Sequence, residues 1–460
     1  MMTGPGRTNH ILHETLESYK ESQDIFVVDP VTQTTHSKQQ FHDMVVHMMT
    51  NTGEVNGVSH VPVANTIESM ANILAHALLG NTIQLLPADR DHTIERIEAD
   101  CDLLVGSSGS TGSSKRIRLT WEKCMINSTD MAHLMGANRD NTHMLLMPLH
   151  HVNSLFYSFM ASFIVGQRVI VPSRADILSF WRWVEEYDVR SVNVSPTIVR
   201  YLNSRNAPQT TKLLTVISAS AALKKKDHLT FKEKTGIDII QGYGLSEATN
   251  FSTVMPLDSE LRHAANQHFS NESVLSVGNA LPGHDITVAS GESQGELLIK
   301  SPSNFEGYLG DDTQHTSVAT GDVGYSKVFR GKHFWFLKGR TKEIIKYRDE
   351  TLYPQDIEQW IQENLEDKID FFCFGFENRS DGESIGILVD DKTWSATLEN
   401  DIKSLRHRGY AYYPRLVMVR DMDGYVTATK KPKRLHTAQQ VSHRYQDLSF
   451  GKKIMIDTTK

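Results

Sequence analysis

The sequence predicts an α/β fold: a large N-terminal domain with mostly parallel sheets plus a β-rich subdomain, then a small α+β C-terminal domain. Three observations predict it. Apolar strand-like runs alternate with helix-compatible stretches between positions 167 and 240, as in βαβ units whose sheet is covered on both faces. Glycine becomes dense between positions 278 and 339, which is the punctuation of short strands and tight turns. After Arg340 a new helix–strand–strand pattern begins. A chain of 460 residues exceeds one ordinary core and leaves room for two or three packing units.

Taken in order, positions 63–87 form an apolar, helix-like run containing Gly80 and Pro87. Positions 103–105 are an apolar strand that enters a Gly/Ser loop, with Ile117 and Leu119 on an apolar strand behind it. The most apolar stretch, 155–165, is too short to span a bilayer. A β-branched strand at 167–171 ends at Pro172. Asp176 then caps a helix in which Ile177, Phe180, Trp181, Val184 and Asp188 follow the 3–4 spacing. Strands at 191–194, 212–217 and 237–240 follow, the last two separated by a helix-compatible stretch at 223–235. Pro354 opens a helix with Ile357, Trp360, Ile361 and Leu365 on one face. Strands at 371–376 and 384–389 complete the small unit. The boundary is placed at 339–342, giving domains 1–339 and 340–460.

Composition narrows the function. The chain is 39% hydrophobic and 22% charged, with a formal net charge of −7, so it lacks the basic excess of a nucleic-acid protein. The basic clusters at 224–226 and 430–434 read first as solvated faces. Three cysteines, Cys101, Cys124 and Cys373, form no CxxC pair and suit a reducing compartment. The 21 histidines are scattered without metal-ligand spacing. Positions 1–6 lack the apolar core of a signal peptide. The expectation is a cytoplasmic enzyme with no membrane span and no nucleic-acid partner.

The loop after the strand at 103–105 carries the first chemistry. Ser107, Ser108, Gly109, Ser110, Thr111 and Gly112 lead to Lys115. Glycines let successive amide N–H groups converge on an anion, hydroxyls add donors, and the lysine adds a point charge for polyphosphate. A flexible linker is the competing reading, but linkers rarely lie between two buried strands and end in lysine. The loop is not a Walker A motif. In the closest frame, Gly109 to Arg116, Ser114 replaces the second glycine and Arg116 the Ser/Thr.

The loop resembles the phosphate loop of the adenylate-forming superfamily, which includes acyl- and aryl-CoA synthetases, luciferases and peptide-synthetase adenylation domains. Ser114 stands where that pattern has proline. Further blocks follow in the superfamily's order. Gly242-Tyr243-Gly244-Leu245-Ser246-Glu247 is similar to the YGxTE block, where a tyrosine ring lies against adenine, a hydroxyl meets the α-phosphate and the glutamate holds Mg²⁺. Gly295-Glu296-Leu297 with Gly307-Tyr308 resembles a fold marker. Thr320-Gly321-Asp322 resembles the TGD block, whose aspartate accepts from the ribose hydroxyls. Lys338 to Lys346, continuing to Glu358, is similar to the hinge block. There Arg340 reaches the ribose and Lys342 is the pivot of a mobile C-terminal domain. Thr427-Ala428-Thr429-Lys430-Lys431-Pro432-Lys433-Arg434 resembles TxxGKxxR, which places Lys431 as the catalytic lysine and Arg434 as the following basic residue.

The resemblance implies ATP, Mg²⁺ on Glu247, and a small carboxylic acid activated as its adenylate. The acyl group then passes to coenzyme A or to the phosphopantetheine of a carrier protein. His151, in Pro148-Leu149-His150-His151-Val152-Asn153, matches the histidine beside the substrate carboxylate, and Ala219, Ser220 and Ala221 match the small residues lining the acyl pocket. Val152 stands where amino-acid-activating relatives carry an aspartate for the ammonium group. A fatty or aryl acid is therefore favoured over an α-amino acid. Two positions depart from the pattern: Asp349 and Lys430 both replace glycine. A carboxylate at 349, beside the thiol tunnel, favours a carrier protein over coenzyme A, or a reaction that stops at the adenylate. The competing classes are an amino-acid-loading enzyme, a non-catalytic nucleotide-binding relative, and an unrelated phosphate-loop kinase, for which no second motif is present.

Overall fold

The computed structural model describes residues 8–458, except 54, 56, 90–96, 98, 107–114, 175, 209–210, 312, 314, 348–349, 366–368, 380–381, 408–412, 428–430 and 446–453. Its largest sheet has thirteen strands among the described residues. One half is parallel: Ile25–Asp29, Arg168–Ile170, Thr142–Met144, Val189–Val194, Thr215–Ser218 and Ile240–Gly244 lie side by side in that order. At Ile240–Gly244 the sense changes. Phe251–Val254 returns antiparallel, and Ser276–Ala280, Lys332–Arg340, Val318–Phe329, Gln294–Lys300 and Asp285–Val288 continue the sheet. The glycine-rich part is thus hydrogen-bonded onto the parallel half.

Helices cover the parallel half as its apolar strands require. Asp176 accepts a hydrogen bond from Leu178 N at 3.1 Å, capping a 3₁₀ turn at Ile177–Ser179 that continues as the α-helix Phe180–Glu186. Asp188 lies beyond this helix, at φ 54°. The stretch 223–235 is helical over Lys225–Thr235 and stops at Gly236, whose φ is 74°. Stretch 155–165 is a fully buried π-helix, Asn153–Met160, followed by the α-helix Ala161–Val165. No helix among the described residues is long and apolar enough to cross a membrane.

Three readings are corrected. Positions 63–87 are not one helix: strand Ser59–Val63, helix Ile67–Leu78 and strand Ile83–Pro87 share them, because Thr66 accepts from Ser69 N and starts the helix late. The strand expected at 237–240 begins at Ile240. The strands between 278 and 339 are not all short: Val318–Phe329 and Lys332–Arg340 span 12 and 9 residues. They meet at Arg330 and Gly331, both at positive φ (48° and 75°), as a tight hairpin turn matched to strand twist demands.

A five-stranded sheet joins Ser59–Val63, Ile83–Pro87, Leu103–Gly106, Arg116–Leu119 and Gly307–Tyr308. The strand expected at 103–105 is present as Leu103–Gly106. Past Arg340 a six-stranded sheet has its own apolar core, including Ile345, Ile357, Ile361, Ile387 and Val417. Its Pro354–Asn364 helix begins at the expected proline. Among the described residues, polar contacts join this unit to the rest. Lys338 pairs with Asp356 at 3.1 Å, Gln294 Nε2 donates to Tyr353 Oη at 2.8 Å, and Arg200 lies 3.6 Å from Asp370.

The cysteines form no disulfide. Cys124 and Cys373 are buried, and burial raises both thiols far above the usual range. Cys101 is half-buried, and burial with the nearby Asp102 carboxylate pushes it up to about 12.

Candidate active site

The long hairpin sets one side of the site. Its register places Asp322 directly opposite Arg340, and Arg340 Nε donates to Asp322 Oδ1 at 2.7 Å. Tyr243 Oη donates to Asp322 Oδ2 at 2.8 Å. The Asp322 backbone is itself held. Its N–H donates to Thr320 Oγ1 at 3.0 Å, and Thr320 donates to Leu297 O at 2.8 Å. Glu296 accepts from Gly321 N at 2.9 Å, where φ is 70°. Burial and the Asp322 charge push the Tyr243 phenol up, so it stays a donor.

Gly242 and Gly244 have a structural cause. A Cβ on Gly242 would come within 2.4 Å of the Phe251 ring, and one on Gly244 within 1.7 Å of Asn250 O. The close return of Phe251–Val254 therefore requires both. Just beyond, Ser246 and Glu247 sit on a 3₁₀ turn, Ser246–Ala248. Glu247 Oε1 accepts from Tyr308 Oη at 3.0 Å, and Lys115 Nζ lies 4.4 Å from the centre of the Tyr308 ring, a cation–π contact. Lys115, Tyr308 and Glu247 thus meet although 61 to 193 positions separate them. A cleft of about 410 Å³ is lined by Lys115, Arg116 and residues 308–311. Ser107, Ser108, Gly109, Ser110, Thr111 and Gly112 lie outside the described residues, as do Asp349 and Lys430.

Lys431 arrives from the C-terminal unit. Val426 and Pro432 bridge antiparallel, Thr427 N donates to Lys431 O at 2.8 Å, and Lys431 N donates to Thr427 Oγ1 at 3.0 Å. Burial and the Arg340 guanidinium lower the Lys431 pKa, while Asp322 and Glu343 oppose them. The lysine thus feels the charges of both Asp322 and Arg340. Arg434, three residues on, is buried between two carboxylates. Its Nε is 3.3 Å from Glu343 and its Nη1 is 2.6 Å from Glu358, and it also donates to Cys373 O. Burial raises the Glu343 pKa against the pull of Arg434 and Arg340. Lys342, the expected pivot, is exposed on the 3₁₀ turn Thr341–Glu343.

The acid-side candidates lie at the ends of the parallel strands. His150 and His151 are adjacent rings with centroids 4.3 Å apart, on a turn closed by His151 N to Pro148 O at 3.0 Å. Ala219 is buried, whereas Ser220 and Ala221 are exposed beyond the end of Thr215–Ser218. Ser220 has φ 71°, and its Oγ accepts from Asn153 Nδ2 at 3.4 Å.

Residues 99–309 match the AMP-binding enzyme family. The sulfoacetate–CoA ligase of Cupriavidus necator is 27% identical over 298 residues, covering 62% of this chain and 57% of that ligase. The oxalate–CoA ligase of Arabidopsis thaliana is 25% identical over 369 residues, covering 74% and 69%. Residues 99–309 thus carry the AMP-binding module of the adenylate-forming enzymes. The chain's similarity spans little more than half the length of the sulfoacetate ligase. The ATP-bound MatB of Rhodopseudomonas palustris shares the fold at a TM-score of 0.78 and 16% identity, covering 95% of this chain and 99% of that one. The o-succinylbenzoate–CoA synthetase of Bacillus subtilis, with ATP and magnesium, does so at 0.75 and 17%, covering 93% and 99%.

In this chain the sequence marks Tyr308 only as part of a fold motif and gives no role of their own to Glu343, Glu358 and Thr320, all of which the structure brings to the site. Tyr308 reaches Glu247 only because Gly307–Tyr308 pairs with Arg116–Leu119, about 190 positions earlier. No local pattern carries that information. The Glu343–Arg434–Glu358 cluster had one signal, two acidic residues inside the hinge block, which spacing alone could not join to position 434.

Proposed function

We propose that the chain activates a carboxylic acid with ATP, forming an acyl adenylate and releasing pyrophosphate, and then passes the acyl group to a phosphopantetheine thiol. The observation that carries this reading is the Asp322 carboxylate held by Arg340 at 2.7 Å and by Tyr243 at 2.8 Å, whose charge acts on Lys431 from the C-terminal unit. A substrate carboxylate and an α-phosphate repel each other, and a cation between them stabilises the charge that grows as the new P–O bond forms and the Pα–O–Pβ bond breaks.

The residues fit the groups. Asp322 spends one acceptor site on each oxygen, and a carboxylate has about four, which leaves capacity for a ribose diol. Glu247 spends Oε1 on Tyr308. Mg²⁺ is usually held by one or two carboxylates together with substrate phosphates, so Glu247 suffices on the protein side. There Mg²⁺ would neutralise phosphate charge. Lys115 would meet the terminal phosphates, Tyr243 the nucleoside, and His151 the acid's carboxylate. Val152 offers no partner for an ammonium group, which favours a fatty or aryl acid. The C-terminal unit would pivot at Lys342 between the two half-reactions, breaking contacts such as Lys338–Asp356 and Gln294–Tyr353.

Acid-dependent ATP–pyrophosphate exchange over fatty, aryl and amino acids tests the reading; exchange with none of them would sink it. Tyr308→Phe removes the hydroxyl that holds Glu247. It is expected to raise the KM for MgATP about tenfold, as loss of one hydrogen bond to a charged group implies, with the KM for the acid unchanged. We also propose that Asp349 disfavours coenzyme A. Thioester yield should be higher with a holo-carrier protein than with coenzyme A, and equal yields at equal rates would overturn this.

A further inference from the structure

A polar seam lies beneath the π-helix Asn153–Met160. On the facing sheet, His143 pairs with Ser191 across neighbouring parallel strands, and His143 Nδ1 and Ser191 Oγ are 2.9 Å apart. Asn193 is two residues further along the same strand and so on the same face. Its Nδ2 donates to Asn153 Oδ1 at 2.5 Å, and Asn153 Nδ2 donates to Ser220 Oγ at 3.4 Å. The seam runs from Asn193, 1% exposed, through Asn153 at 7%, to the exposed Ser220. Asn153 lies two residues from His151, near the carboxyl ends of parallel strands, where ligands bind in α/β sheets. A π-helix often marks such a place.

The seam is neutral and incomplete. Asn193 Oδ1 and His143 Nε2 are buried and have no hydrogen-bond partner among the described residues. The buried Lys38, Arg262, Arg415, Arg434 and Asp457 all lie on other elements. Burial holds His143 neutral, with a pKa of about 3.

We propose that this seam reads a neutral hydrogen-bonding substituent, a hydroxyl or a carboxamide, on the acid that the site activates, with Asn193 Oδ1 accepting from it. The proposal rests on the adenylation reading and narrows its substrate class. A donor on the acid completes Asn193. An apolar tail leaves that oxygen orphaned, a second carboxylate meets an acceptor that repels it, and an ammonium finds no acidic residue in the seam. A site built to hydrogen-bond a substituent rejects the analogue that lacks it.

The test is pyrophosphate exchange by the full-length protein with matched acids: 4-hydroxybutanoate, succinamate, pentanoate, succinate and 4-aminobutanoate, and 4-hydroxybenzoate against 4-methylbenzoate. In at least one series, kcat/KM for the hydroxyl or carboxamide acid should exceed that of the apolar and charged members by about tenfold or more. Asn193→Leu should collapse that ratio towards one with the KM for ATP unchanged. The wild-type ratio decides the matter even if the variant fails to fold. Equal or better use of the apolar or charged acids overturns the inference and leaves adenylation standing, as does an unchanged ratio in a folded Asn193→Leu protein. Exchange with none of these acids, but with others in a wider panel, overturns the inference alone. Exchange with no acid at all overturns both.

Discussion

Replacing Lys431 with alanine is expected to slow acid-dependent ATP–pyrophosphate exchange by about 10²–10³-fold, the scale for losing one preorganised charge-stabilising group, with ATP affinity little changed. Undiminished exchange would remove the lysine from the chemistry. The same residue predicts a pH dependence. Burial, with Arg340 beside it, holds the Lys431 pKa below the ordinary 10.5. The charged form is the active one, so activity is present below that pKa and is lost as pH rises through it. The alkaline limb of kcat/KM, which reports the free enzyme, should therefore fall below pH 10.5. Lys431→Arg should move the limb upward, because a guanidinium stays protonated throughout. A limb at the same pH in both proteins assigns it to another group.

Replacing Arg434 with alanine is expected to destabilise the C-terminal unit by about 3–5 kcal/mol, the usual cost of removing one partner from a buried charge cluster. Glu343 and Glu358 would both remain buried, with side chains 14% and 11% exposed. Thermal unfolding should show an earlier transition, on the order of 10 °C lower. Adding Glu343→Gln and Glu358→Gln to an Arg434→Met protein should recover much of the loss, since the penalty lies in stranded charge rather than in missing volume. An unchanged Tm in the alanine variant would mean that water reaches the cluster and screens it.

Much of this was legible from the residues alone. The parallel half of the main sheet follows from apolar runs that only a sheet covered on both faces can bury. The C-terminal helix starts at Pro354 because proline suits a first helical turn, and its apolar face at Ile357 and Ile361 enters the separate core. The Asp322–Arg340 and Lys431 candidates were found because each motif is local. What stayed hidden was non-local. The continuity of the antiparallel strands with the parallel ones depends on a hairpin at Gly242 and Gly244, whose need for glycine comes from Phe251 and Asn250. Tyr308 depends on a partner brought by sheet pairing, and the Arg434 cluster on packing within the small unit. Positions 63–87 misled because one apolar composition serves a buried strand and a buried helix equally well.

The state of the three thiols bears on side reactions. A mixed anhydride acylates any thiolate that reaches it, and reactivity follows the thiolate, not the thiol. With a pKa of about 12, Cys101 would be ionised to only on the order of 10⁻⁵ at neutral pH, and Cys124 and Cys373 are closed off in packed cores. None of Cys101, Cys124 and Cys373 thus offers a ready thiolate to an activated acyl group. An adenylate formed here would wait for a sulfur brought from outside, and self-modification would not drain the enzyme during a slow acceptor encounter.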